Sequence, residues 1–162
     1  MRKMLYVLAR RVIRLAAKKG LTVGTAESLT GGMIAASLAG VAGASQVLLG
    51  GIVSYHPRIK HELLGVAQET IDGTGVVSEL CARQMALGAK ERLGVDIAVS
   101  CTGVAGPGGG TPQAPLGTVY LGMAGKDGIY VKEKHFAGRR KRVRCKTAAA
   151  ALHILWDEIN GW

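Results

Sequence analysis

The chain has 162 residues, 48% of them hydrophobic, which excludes a disordered segment and suffices for one domain with its own core. Only seven residues are aromatic while 24 are glycine, so packing must rest on Ala, Val, Leu and Ile, and tight turns are frequent. The formal net charge of +10 favours an anionic partner, whether a phosphorylated substrate, nucleic acid or a membrane surface, over a merely basic solvated face only when a site supports it.

Residues 2–19 carry Leu5, Leu8, Val12 and Leu15 at helical spacing, and Gly20 stops the pattern. Arg10, Arg11 and Arg14 interrupt the apolar run, which excludes a membrane span or signal peptide and leaves a docked amphipathic helix ahead of an Arg-rich presequence. "LTVGTA" (21–26) reads as a short buried strand, Gly31 to Leu38 as a helix, and "AGVAGASQ" as a connection. "VLLGGIVSY" (47–55) reads as a strand. Pro57 then opens a helix to Leu64, which Gly65 closes.

"AQETIDGTGVV" reads as a loop. Ser78 caps a helix to Leu93, ended by Gly94, and "VDIAVSC" (95–101) is a buried strand. Residues 102–117 form a long loop holding three of the four prolines. Strands at 117–124 and 129–136 flank the hairpin turn "GKDG", and residues 139–159 form a last helix. On that helix His153 is read as a core residue. Strands alternate with helices until the hairpin, so the expectation is a single domain over residues 1–162. Its fold is a three-layer α/β/α sandwich around a mixed, mostly parallel sheet.

Cys81, Cys101 and Cys145 are odd in number and lack metal-ligand spacing. They read as reduced thiols of a cytoplasmic protein rather than a disulfide or a zinc site. The four histidines show no metal spacing either, so no metal is expected.

Ligands of open α/β sheets bind at the carboxyl ends of strands, and three polar clusters fall there. In "TAESLTGG" (25–32), Thr30, Gly31 and Gly32 surround a helix start whose free N–H groups suit an anion, with Ser28 just ahead. Alone, this segment is better explained as a helix cap than as an oxyanion site behind a nucleophile. The second cluster adds Tyr55 at a strand end and Lys60 in the next helix. Side chains lean toward a helix N-terminus, where a cation is disfavoured, so Lys60 suits a neutral base beside Ser28, against the plain reading of a solvated lysine. Glu27 is open to orienting Lys60 or a leaving group, or to complementing the helix start.

The third cluster, "TGVAGPGGG", is a glycine-rich loop that matches neither a P-loop nor a dinucleotide fingerprint. A fourth, "GRRKRVRCK" (138–146), has six basic residues of nine. Arg140 and Arg144 share a helical face there and suit bidentate phosphate or carboxylate binding, if the face is not simply solvated.

Read in order, "TAESLTGG", "GGIVSYHPRIKHELLGV", "GVVSE", "AVSCTGVAGPGGG", "PLGTVYLG" and "FAGRRKRVR" resemble the CinA C-terminal domain family across nearly the whole chain. The ordered set carries the resemblance, rather than any one motif. It implies an α/β/α fold and, in active members, hydrolysis of the carboxamide of nicotinamide mononucleotide in pyridine-nucleotide salvage, without a cofactor. It also implies Ser28 as nucleophile, Lys60 as base and Tyr55 as an assisting hydroxyl. Thr30, Gly31, Gly32, Thr102, Gly103 and Gly106 are implied as binding positions, with phosphate contacts near Arg140 and Arg144. Many relatives carry an additional N-terminal domain, and this chain looks like a stand-alone form, with a dimer suggested by the relatives. It departs from the family pattern at Leu29, where Cys is common, at "YHPRIK" for "YSNEAK", at Arg139 within "GRR" for "GDR", and at Gly108 for an acidic residue.

Two rivals follow from the same residues. One is a pyridine-nucleotide sensor using the pocket without turnover. The other is a basic RNA-binding protein centred on residues 139–146, which the scarcity of stacking aromatics disfavours.

Overall fold

In a computed structural model, described for residues 2–162, a five-stranded sheet lies between two helical layers. The strands are β1 (Val23–Glu27), β2 (Leu48–Val53), β3 (Ile97–Gly103), β4 (Thr118–Ala124) and β5 (Ile129–His135), in the order β2-β1-β3-β4-β5. β1 pairs in parallel with both β2 and β3, whereas β4 is antiparallel to β3 and β5 antiparallel to β4. Only β4 therefore runs against the others, the mixed, mostly parallel sheet expected of alternating strands and helices closed by a hairpin.

Helices α1 (Arg2–Lys19), α2 (Met33–Ala39) and α6 (Arg140–Asn160) pack together on one face. Their larger core joins Val12, Ile34, Leu38, Leu152 and Leu155 to Val23, Val99 and Leu121 of the sheet. Each such aliphatic side chain removed from water contributes about 1.5–3 kcal/mol. Helices α3 (Pro57–Leu64), α4 (Gln68–Asp72) and α5 (Glu79–Leu93) cover the opposite face, with a smaller core of Ala26, Ala98, Leu64, Cys81 and Met85. At Gly88 of α5, an added Cβ would lie 1.9 Å from the Leu64 carbonyl oxygen, so this glycine sets how closely α5 seats α3.

Helix ends follow local chemistry. The Ser78 side chain accepts the Cys81 N–H to open α5, and the His56 ring accepts the Arg58 N–H ahead of Pro57 to open α3. Gly65 and Gly94 close these helices in left-handed conformations.

Several boundaries differ from the sequence expectation. α2 starts at Met33 rather than Gly31, because Gly31 and Gly32 adopt φ of 61° and 92° and form the turn before it. β1 runs on to Glu27, β2 stops at Val53, and β3 is displaced to Ile97–Gly103. The segment read as a loop holds α4, a five-residue helix without a side-chain cap. A 3-10 turn at Ala44–Gln46 interrupts the expected connection. His153 is exposed, not part of the core, since α6 turns that position outward between buried Leu152 and Ile154.

Candidate active site

Ser28 is the first residue beyond β1, the central strand of the parallel trio. Its N–H donates to the Cys101 carbonyl (3.1 Å), and the Ser54 N–H donates to the Glu27 carbonyl (2.8 Å), so the ladder continues past the strand ends. The register pairs Ala26 with Ile52 and with Ser100. Two residues on, Ser54, Ser28 and Thr102 stand level across three carboxyl ends. Side chains alternate along a strand, so all three share the face of Ala26, the face covered by α3 and α5.

Lys60 enters this row from α3. It is 1% exposed, and its Nζ lies 2.8 Å from Ser28 Oγ and 2.5 Å from the Ser54 carbonyl oxygen. Burial pushes the amine pKa below its ordinary value, and the smaller Coulombic influence of Cys81 and Cys101 runs in the opposite direction. The lowering therefore comes chiefly from desolvation. Both thiols are themselves pushed up to about 11 by burial, so they bring no negative charge at neutral pH.

Glu27 points to the other face of β1. Its carboxylate, 1% exposed, accepts the N–H groups of Ile34 (3.0 Å) and Ala35 (2.8 Å). The Thr25 hydroxyl also donates to it, at 3.3 Å. Of the roles left open for Glu27, the structure shows a buried cap that satisfies α2 and ties it to β1. The turn between them is fixed in three further ways. Gly31 N–H donates to the Ser28 carbonyl (3.0 Å), and the Thr30 hydroxyl meets Cys101 Sγ (3.0 Å). Arg144 of α6 donates from Nε to the Leu29 carbonyl (2.8 Å) and from Nη2 to the Thr30 carbonyl (2.7 Å). The N–H groups of Leu29, Gly32 and Met33 have no acceptor among the described residues.

The exposed Tyr55 lies two residues beyond β2, and its hydroxyl accepts from Arg140 Nη2 at 2.7 Å. The structure does not bring that hydroxyl to Ser28 or Lys60. Arg140 Nη1 also donates to the Gly106 carbonyl (2.9 Å), so one guanidinium ties the β2–α3 junction, the long loop and the start of α6 together. The Thr102 hydroxyl is turned to the Val76 carbonyl. Gly103 is glycine for packing, since an added Cβ would lie 2.6 Å from the Thr118 carbonyl oxygen.

Two cavities flank this end of the molecule. One of about 830 Å³ lies among α1, α2 and α6, walled by Tyr6, Met33 and Ala36 and bordered by Arg140, Lys141 and Arg144. A second of about 590 Å³ lies between the long loop and residues 136–140, with Arg140 again in its wall. No acidic residue lines either cavity among the described residues. Ser28 lines neither, although its turn borders the first through Met33. Ser28 and Lys60 thus form a directly bonded pair, Arg140 stands between the cavities, and Arg144 braces the turn from behind. Sequence reasoning missed Ser54 and the Cys81 thiol on the Lys60 side of the sheet, which carry no motif. It also missed the bracing role of Arg144, which depends on how α6 crosses the turn.

Comparison with known proteins places these residues in context. The CinA C-terminal domain family matches residues 5–159. A CinA-like protein of Leptospira borgpetersenii is 43% identical over 91% of this chain, which spans only 35% of that relative. The nicotinamide-nucleotide amidohydrolase PncC of Enterobacter agglomerans is 44% identical, with 87% of each chain aligned. The crystal structure of the competence/damage inducible protein CihA from Agrobacterium tumefaciens superposes with a TM-score of 0.93 at 40% identity, covering 97% of this chain and 96% of that one.

Proposed function

The chain belongs to the CinA C-terminal domain family, and from that premise we propose that it is an amidohydrolase that converts nicotinamide mononucleotide to its carboxylate and ammonia, in nucleotide salvage. The observation that carries this reading is the buried Lys60 amine, 2.8 Å from Ser28 Oγ. The PncC relative supplies the substrate class.

Neutral Lys60 takes the Ser28 hydroxyl proton as Oγ bonds to the carboxamide carbon, and the carbonyl electron pair moves onto oxygen. The unpartnered N–H groups at the Ser28–Met33 turn receive that oxyanion, preset by Arg144 and Glu27. Collapse breaks the C–N bond, and Lys60 returns the proton to the departing ammonia. Water then attacks the acyl ester, giving its proton to Lys60, and Ser28 leaves reprotonated. Gly31 is not a donor here, because its N–H is engaged by the Ser28 carbonyl.

Arg140 is the phosphate contact, with its Tyr55 and Gly106 bonds available for exchange. Tyr55 orients Arg140 instead of assisting the proton transfer, and Arg144 acts through the turn it braces. Purified protein is expected to release ammonia from nicotinamide mononucleotide, and folded Ser28→Ala to release none. Binding of the nucleotide without turnover in wild type would instead favour a sensor.

A further inference from the structure

Ser54 is fully buried, and its hydroxyl has no hydrogen-bond partner among the described residues. A buried hydroxyl left unpaired is costly and calls for a reason. It stands level with Ser28 on the same sheet face, on the residue whose carbonyl already holds Lys60 Nζ. Resting on the reading of Lys60 as the base, we propose that Ser54 is a positioning residue whose hydroxyl accepts the third N–H of Lys60 once that amine has taken the Ser28 proton.

The count of donors requires such a group. A neutral amine has two N–H groups and a lone pair. With one N–H on the Ser54 carbonyl, its lone pair can be aimed at the Ser28 hydroxyl. When the proton moves, an ammonium with three donors appears on a side chain that is 1% exposed. One donor stays on the Ser54 carbonyl, one faces Ser28 Oγ or the departing nitrogen, and the third needs a new acceptor. On the amine's own side of the sheet the Cys81 thiol of α5 is a weak acceptor, whereas Cys101 turns to the other face of β3, where its thiol meets the Thr30 hydroxyl. On α3 itself, Arg58 and Glu62 pair at the surface and His61 turns to the Val66 carbonyl. Glu27 lies across β1, bound to α2. Rotation of Ser54 about χ1 swings its oxygen through staggered positions beside its own carbonyl, on which the amine sits. The hydroxyl is idle in the resting site and engaged in the charged one, which favours the transition state over the ground state.

The test follows Lys60 by NMR titration of the full chain with labelled lysine, and Ser28 by its rate of labelling with a fluorophosphonate, in wild type, Ser54→Ala and Ser54→Gly. Removing the acceptor is expected to move the Lys60 titration to lower pH and to slow labelling roughly tenfold or more, as for a lost hydrogen bond to charge. The Tm of Ser54→Ala should hold or rise. An unchanged Lys60 titration in a folded variant overturns the proposal, as does a fall in Tm with unchanged titration and labelling, which marks a packing role. A shifted titration with no labelling of Ser28 in wild type keeps the acceptor role and instead removes the nucleophile reading.

Discussion

At the scale of single residues, the site divides into the hydrogen-bonded Ser28–Lys60 pair, proposed as nucleophile and base, and the groups that hold it. Ser28 and Lys60 touch, whereas Tyr55 touches Arg140. Tyr55→Phe is therefore expected to raise KM for the phosphorylated substrate several-fold while kcat stays within about threefold. An equal fall in kcat at unchanged KM would return the hydroxyl to the proton transfer. Arg144 binds two successive carbonyls through the Nε and Nη2 groups of one planar guanidinium, which a single ammonium cannot reproduce. Arg144→Lys is expected to lower kcat roughly tenfold or more, and steady-state kinetics of ammonia release check it. Ser28 and Lys60 were legible because a serine ahead of a glycine turn and a lysine early in a helix are local patterns. Ser54 and Cys81 were not, since only the sheet register and the packing of α5 bring them to the Lys60 side of the sheet.

At the scale of elements, two helix caps test how structure and chemistry are coupled. Ser78 caps α5 with one accepted N–H at 3.1 Å and no contact with the reacting pair. Ser78→Ala should cost about 1 kcal/mol in denaturant unfolding and leave the turnover of folded protein unchanged. Glu27 caps α2 with two accepted N–H groups from a buried position. Glu27→Ala leaves both donors unpaired, so about 2–4 kcal/mol should be lost and kcat should fall as well, because the same bonds fix the Ser28 turn. Equal effects of the two variants on activity would detach Glu27 from the turn. The strands and long helices were readable from apolar runs ended by Gly and Pro. α4 was not, because its five residues carry neither an apolar stripe nor a side-chain cap, and tertiary contact with α5 supports it. The start of α2 was displaced because two glycines at positive φ prolong the turn, a choice that composition alone does not reveal.

At the scale of the whole molecule, the sheet brings three strand ends together and α3 closes them with a lysine kept from water. Its folded pKa lies below 10.5. Between the folded and unfolded values the unfolded chain binds a proton that the folded chain does not, so stability rises with pH across that window and is flat below it. Under the proposed mechanism activity should follow the folded value, since a lysine base must be neutral to accept a proton. The charge of +10 complements the same end, where Arg140 and Lys141 border a cavity without acidic residues. The most direct measurement is the pH dependence of kcat/KM for ammonia release from nicotinamide mononucleotide, in wild type and Lys60→Arg. Wild type should rise with pH through one ionisation below the ordinary lysine value, and the arginine variant, which cannot give up its proton, should stay at background at every pH. Lys60→Arg turnover within tenfold of wild type, following the same profile, would contradict the assignment of Lys60 as the base.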